Sequence, residues 1–367
     1  MKFTCEKNLL LKEITIAQEI ISSRNILSIL SNILLVVSNN TLTIKATDLK
    51  VAVETKIPVD VSLPGSTTIY CDKFLGILKA LPEGEVEIEL VENNLKIKPL
   101  FKKIDFTLKS TASDKFPEIR DINSNKYFEL PQKEFIEMIS QTIFAVSDDE
   151  TRYFMNGVYL EKKENELAMV ATDGRRLSFI KKSFEKMNTN FESIIIPPKI
   201  LIIIRRLSSG EGNFSIAIDE KNIFIKFDNH KLSSFLIEGQ FPNYQRVIPE
   251  KQEYEMKVKK EAFFEALRRV SLLVEQKSRR IFMGVEKNIL TLTSEESDIG
   301  MAREEIECSF NGEKTTIALN YLYVSEPLKV IDGKEISIKF SESNTAISIE
   351  PIPKKNYFHI IMPMQLD

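Results

Sequence analysis

Tryptophan is absent from the 367 residues, histidine occurs only as His230 and His359, and cysteine only as Cys5, Cys71 and Cys308. Cysteines so far apart make neither a disulfide framework nor a zinc spacing. Each histidine stands in a strand-like segment with no Cys, Asp or Glu at ligand spacing. Both therefore read as structural or surface residues, and no metal is expected. Charge of one sign is lacking too. The net charge is −3, so affinity for nucleic acid must come from local basic faces and not from bulk attraction. Long apolar runs are missing: Ile200–Ile204 is far too short to span a bilayer, and Met1–Lys7 holds no apolar signal core. The expected setting is reduced and cytoplasmic, with no membrane partner.

Catalytic patterns are equally scarce. No nucleophile stands with a base. Gly210–Gly212 lacks the Lys-Ser/Thr of a phosphate loop and reads as a turn. Asp148, Asp149 and Glu150 read as a solvated acidic loop, because no partner ligands recur with them. The sequence reads as a non-enzyme without a cofactor.

What is present is repetition. Hydrophobic residues at 43% and charged residues at 28% fit folded domains, and the length calls for roughly two or three of them. NTLTIKATD at Asn40–Asp48 returns as NELAMVATD at Asn165–Asp173 and, more weakly, as NILTLTSEE at Asn288–Glu296. A second set stands at Asn94–Ile97, Asn222–Ile225 and Asn344–Ile347. An X-Pro landmark stands at Phe116-Pro117, Phe241-Pro242 and Met362-Pro363. All keep an interval of about 125 residues, which reads as three copies of one domain, each an internal duplication. The alternating segments behind Asn turns read as outgoing strands of hairpins.

Helical patterns repeat with the same period. Phe135, Met138, Ile139, Thr142, Ile143 and Val146 share one helix face, as do Leu10, Ile14, Ala17 and Ile21, and Phe263, Leu267, Val270 and Val274. Shorter helices are expected over Phe74–Leu81, Ile200–Leu207 and Tyr321–Leu328. Pro327 removes a helical hydrogen bond, so the last is expected to be short or kinked. The fold class is α+β: three tandem domains, 1–123, 127–250 and 253–367, with helices on one face of hairpin sheets. The polar segments Asp121–Lys126 and Pro249–Glu253 read as linkers.

Basic residues cluster on the helical segments. They include seven between Lys259 and Arg280, Lys199 with Arg205 and Arg206, Lys73 with Lys79, and Arg24. Two readings stand: solvated helix faces, or one shared positive surface for sequence-independent phosphate contacts. Arg152-Tyr153-Phe154 adds a guanidinium beside aromatics. The copies also differ. After Thr47-Asp48 the first copy continues Leu49-Lys50-Val51, whereas after Thr172-Asp173 the second continues Gly174-Arg175-Arg176-Leu177. Glycine, arginines and the methionines near the chain end are the ingredients of an adaptable peptide groove. They equally fit a turn glycine beside a packed terminal strand.

At ATDGRRL (Ala171–Leu177), FPNYQRVIP (Phe241–Pro249) and MPMQL (Met362–Leu366) the sequence resembles the bacterial DNA sliding clamps, the β subunits of the replicative polymerase. The resemblance covers the whole chain. It implies a head-to-tail homodimeric ring of tandem domains around double-stranded DNA, a processivity factor that slides because its phosphate contacts are weak. It implies partners, namely replicative and repair polymerases and the clamp loader, that dock through short Gln-Leu-type linear motifs. Carried over by position, the docking pocket comprises Met155, Thr172, Gly174, Arg175, Arg176, Leu177, Pro242, Arg246, Val247, Ile360, Met362, Pro363 and Met364. In it Arg176 and Arg246 are expected to bond partner oxygens. DNA contacts are expected from Arg24, Lys73, Arg152, Tyr153 and Lys199. The ring interface is expected to set Lys103, Phe106 and Leu108 of one protomer against Leu272 and Leu273 of the other. Family members often carry His at the position of Arg175 and Arg at that of Gln365, so the charge at the pocket rim is expected to be rearranged here. On the residues alone, a monomeric peptide-binding scaffold and a nucleic-acid enzyme remain the rival readings.

Overall fold

The structure, a computed structural model, describes residues 1–21, 28–122, 126–185 and 191–365. The first copy opens with strand β1 (Lys2–Glu6), helix α1 (Lys7–Ile20), β2 (Asn32–Ser38), β3 (Thr41–Thr47) and β4 (Val51–Pro58). A short extra strand, β5 (Asp60–Leu63), intervenes. The same order then returns as β6 (Gly65–Tyr70), α2 (Cys71–Ala80), β7 (Glu85–Val91), β8 (Asn94–Pro99) and β9 (Phe106–Thr111). The second copy runs β10 (Phe128–Pro131), α3 (Gln132–Thr142), β11 (Val158–Lys163), β12 (Glu166–Thr172) and β13 (Arg176–Ser183). It continues as β14 (Ile194–Ile196), α4 (Pro198–Leu207), β15 (Asn213–Ile218), β16 (Asn222–Phe227) and β17 (His230–Phe235). The third runs β18 (Tyr254–Lys259), α5 (Lys260–Val270), β19 (Arg280–Glu286), β20 (Ile289–Ser294) and β21 (Arg303–Ser309). It ends as β22 (Thr315–Asn320), α6 (Tyr321–Val330), β23 (Glu335–Phe340), β24 (Ile347–Ile352) and β25 (Tyr357–Ile361). Strand, helix and three strands thus occur twice in each of three tandem domains.

Local chemistry explains the repetition. Asn39 and Asn40 (φ 48° and 55°) and Lys287 and Asn288 (φ 49° and 67°) supply the left-handed pairs that tight hairpins need. In β3, Leu42, Ile44 and Ala46 are fully buried while Thr41, Thr43 and Lys45 between them are not. In α1, Leu10, Ile14, Ala17 and Ile20 are wholly buried against α2 and strands β3 and β4. Each such leucine or isoleucine contributes roughly 1.5–3 kcal/mol.

The chain forms two compact units, Met1–Lys133 with Lys199–Leu236, and Glu134–Pro198 with Ile237–Asp367. The first holds a 13-stranded sheet in the order β10-β15-β16-β17-β4-β3-β2-β6-β9-β8-β7-β1-β5. The second holds a 12-stranded sheet in the order β14-β11-β12-β13-β25-β24-β23-β18-β21-β20-β19-β22. The second copy is therefore shared between the two sheets. Each sheet contains one joint between copies. β17 runs antiparallel to β4, with His230 opposite Thr55, and β25 runs antiparallel to β13, with Ile360 opposite Leu177.

Several expectations change. The helix predicted to reach Val146 stops at Thr142, whose hydroxyl bonds back to the Met138 carbonyl (2.8 Å), and a 3-10 turn follows. Val274 likewise lies beyond α5, after the 3-10 turn Ser271–Leu273. α6 is not cut short at Pro327: it runs on to Val330, as long as α2 and α4. Burial of Val324, Pro327 and Leu328 holds that turn although one backbone donor is missing. The linker at 249–253 is pinned, because the Gln252 amide donates to the carbonyls of Lys339 (2.8 Å) and Ala346 (3.0 Å) and accepts from Ser348 (2.5 Å). The other expected boundary includes residues 123–125, outside the described residues.

Both histidines are interior. His230 lies 3.0 Å from Glu13, whose carboxylate also accepts from Thr55 (3.0 Å). His359 meets Ser178 at 3.0 Å, and burial pushes its pKa down to about 3, so it is neutral.

Candidate partner-docking site

A cavity of about 230 Å³ lies in the second unit, beside the joint of β13 and β25. It is lined by Met155, Thr172, Gly174, Arg175, Arg176, Leu177, Pro242, Val247, Ile360 and Met362, and by two residues not expected there, Asn243 and Tyr244. Leu177 and Ile360, each 2% exposed, form the floor. Val247 (50%) and Met362 (42%) stand open at the rim. A buried apolar floor below exposed apolar walls can take apolar side chains from an extended peptide.

One wall is a turn built by side chains. The Thr172 hydroxyl accepts from the Gly174 N–H (3.0 Å) and donates to the Arg176 carbonyl (2.6 Å). Asp173 accepts from the N–H groups of Arg175 (2.9 Å) and Arg176 (3.0 Å). Thr47, Asp48 and Val51 make the same turn in the first copy, where Leu49 (φ 74°) occupies the place of Gly174 (φ 87°). The turn itself is therefore common to both copies, and the side chains it presents are what differ. Beside Gly174 lies Arg152, held by Asp149 at 2.9 Å. Hydrogen bonds from Thr151 and Arg152 hold the Asp149 carboxyl below the usual range.

Arg176 lines the cavity and is also bonded within the protein. Its guanidinium bonds Asp173 (3.0 Å), the Phe144 carbonyl (2.6 Å) and Glu326, and it lies 4.5 Å from the centre of the Tyr323 ring. With the side chain 11% exposed, those three bonds hold the guanidinium in place at the cavity wall. Arg176 ties the second domain to α6 of the third. Arg246, Pro363 and Met364 do not line the cavity. Arg246 is exposed on the 3-10 turn Tyr244–Val247, and the Met364 N–H bonds the Ala318 carbonyl (2.8 Å). Asn243 and Tyr244 were legible only as members of the Phe241–Pro249 stretch.

Of the residues expected at DNA, Arg24 lies outside the described residues. Lys73 is exposed in the first turn of α2, and Tyr153 is 53% exposed. Lys199 is held internally by Asp48 and the Ile20 carbonyl, both at 2.6 Å. Arg152 is held at the docking cavity. Of those expected at the ring interface, Lys103 is exposed, Phe106 and Leu108 are half-buried on β9, and Leu272 is 80% exposed beside half-buried Leu273.

Among the described residues, no group of three or more His, Cys, Asp or Glu could hold a metal ion. Burial pushes the Cys5 and Cys71 thiols up to about 12, which leaves no reactive thiolate there.

Models of the DNA polymerase III beta subunit match the chain in order: the N-terminal domain at residues 1–120, the central domain at 129–243 and the C-terminal domain at 245–365. The beta sliding clamp of Treponema pallidum is 45% identical over 100% of both chains. The sliding clamp of Pseudomonas aeruginosa, solved bound to griselimycin, aligns with a TM-score of 0.93 at 27% identity, again over 100% of both chains. DNA polymerase III subunit beta of Borrelia burgdorferi, solved with a natural product, aligns at 0.92 and 28% over the same coverage. With every domain matched in sequence and a full-length relative this similar, the chain belongs to the bacterial DNA polymerase III beta subunit family, the sliding clamps.

Proposed function

We propose that this protein works as a head-to-tail homodimeric ring around double-stranded DNA and holds its partners by Gln-Leu-type peptides seated on Leu177 and Ile360. As a member of its family it is a DNA replication processivity factor, a non-catalytic scaffold that interacts with DNA and tethers the replicative polymerase and the clamp loader. The ring and the motif pocket are the finer reading.

The repeated joint carries that reading. The fifth element of one copy pairs with the last strand of the next, as β4 with β17 and β13 with β25. Among the described residues, two members of the series have no such partner: β21, the equivalent strand of the third copy, and β9, the last of the first. There Phe106–Lys109 pair only with β8, and Arg303–Glu307 only with β20, so each stretch keeps an open edge. Pairing β21 of one protomer with β9 of another repeats the joint and removes both edges. Charge supports it: Lys102, Lys103 and Lys109 are exposed near one edge, Glu305 and Glu307 on the other. Exposed apolar side chains stand near both edges as well, Phe101 (83%) in the first copy and Leu272 (80%) and Ile299 (87%) in the third.

Among the described residues, each α-helix carries an exposed base: Lys12 on α1, Lys73 and Lys79 on α2, Lys133 on α3, Arg205 on α4, Arg268 on α5 and Lys329 on α6. Single bases spread over many helices suit weak, sequence-independent phosphate contacts. Repair polymerases are expected to share the docking cavity. The site of action is the cytoplasm, and no helix of the described residues is long and apolar enough to cross a membrane. The test is retention on DNA after loading. It should be high on closed circles and lost on linearisation, whereas equal retention on both would remove topological tethering.

A further inference from the structure

A second depression, also of about 230 Å³, lies on the same sheet face as the docking cavity. Side chains of one face alternate along the strands, so Thr172, Val170, Ala168 and Glu166 on β12 share a face with Leu177, Phe179 and Lys181 on β13. The docking cavity occupies the Thr172–Leu177 end of this row. The second depression occupies the other end, over Ala168, Phe179 and Lys181. The 3-10 turn Tyr244–Val247 forms a ridge between them, and Tyr244 lines both.

The floor is apolar, made by Ala168, Phe179, Tyr244 and Ile248. Its charged rim is already neutralised: Lys181 pairs with Glu166 (2.9 Å), and Glu161 takes Lys163 (3.1 Å) and the Tyr244 hydroxyl (2.9 Å). Such a hollow gives an ionic ligand little to bind and an apolar one much. The corresponding positions of the first copy differ. Where Val170 faces Phe179 in the second copy, Lys45 faces Glu54 in an ion pair of 2.8 Å. In the second copy an apolar pair thus stands where the first copy has an ion pair.

We propose that this depression takes one bulky apolar side chain, aromatic or leucine, from the same partner polypeptide that fills the docking cavity. Continuity identifies the occupant: the two hollows share Tyr244 and one row of the sheet. Leu177 and Lys181 are four residues apart on β13, which is roughly 13 Å, so about four residues of extended partner chain separate the two anchored side chains. This rests on the docking reading above. It extends that reading from a short motif to the sequence flanking it.

Three fluorescent peptides test it in titrations with the whole protein: a minimal Gln-Leu motif, and the motif extended by five residues on either flank with Phe at the fourth added position. One extended peptide should bind about tenfold tighter than the minimal one. That gain should vanish when its Phe is replaced by Gly, and also on Ala168→Arg protein, to which the minimal peptide should bind as it does to the parent. Equal affinity for minimal and extended peptides, or a gain that survives either change, overturns the inference while leaving the docking cavity standing. Failure of the minimal peptide to bind the parent protein removes the docking reading and this inference with it. If Ala168→Arg does not fold, the Phe-to-Gly comparison on the unaltered protein decides.

Discussion

A Cβ placed on Gly174 would lie 2.9 Å from Nη1 of Arg152, so these two residues are fitted to each other at the wall of the docking cavity. Leu49 occupies the equivalent turn position with φ 74°, so the turn can hold a side chain at the cost of a left-handed backbone, and the added methyl must also displace the movable end of Arg152. Gly174→Ala should therefore melt within a few degrees of the parent yet bind a Gln-Leu peptide about fivefold more weakly, roughly 1 kcal/mol. Arg152→Ala should make the two changes non-additive in a double-mutant cycle. Unchanged peptide affinity in Gly174→Ala would sink the fit.

Arg176 should matter for stability first. Arg176→Ala breaks its bonds to Asp173, Glu326 and the Phe144 carbonyl and leaves carboxylates without a counter-charge. A loss of about 2–3 kcal/mol is expected, read as a lower melting temperature, with strong coupling to Glu326→Gln. An unaltered melt with weakened peptide binding would return Arg176 to the role of a direct partner contact.

For the ring, Leu272→Asp places a charge where an apolar contact is expected, and Phe106→Ala removes the facing ring. Native mass measurement at micromolar concentration should show a dimer for the parent and a shift to monomer for either variant. A monomeric parent would end the ring hypothesis.

Acid should act on the first unit through Glu13. Burial alone would raise its pKa from 4.5, but the hydrogen bond and charge of His230, with the Thr55 hydroxyl, outweigh burial and hold it lower. A carboxyl depressed in the folded state contributes stability above its unfolded pKa and loses it as pH falls through the folded value. Glu13→Gln should thus narrow its gap in melting temperature from the parent as pH drops below about 4.5. A gap that stays constant down to pH ~3 would contradict the linkage.

The sequence makes legible whatever depends on neighbours along the chain. The period of about 125 residues, the hairpin asparagines and the inward faces of α1 and α5 all come from local pattern. So did much of the docking wall, because Thr172–Leu177 is one turn. Contacts between distant segments were not legible. Nothing near Arg176 in the chain announces Glu326 or Tyr323, and nothing near Lys199 announces its bonds to Asp48 and the Ile20 carbonyl. Pro327 misled for the same reason: local rules set the cost of a proline, and tertiary burial decided whether α6 continued.

Gln252 bears on how reproducible the docking cavity is. Pro242 and Val247 come from the segment just before the pinned stretch 249–253, while Ile360 and Met362 come from the far end of the third domain. A slack spacer would let those two banks drift and turn a cavity of fixed calibre into a range of widths. Three hydrogen bonds at one glutamine stitch the spacer to β23, β24 and the loop between them. The gauge of the cavity is set in part by a residue that never touches its contents.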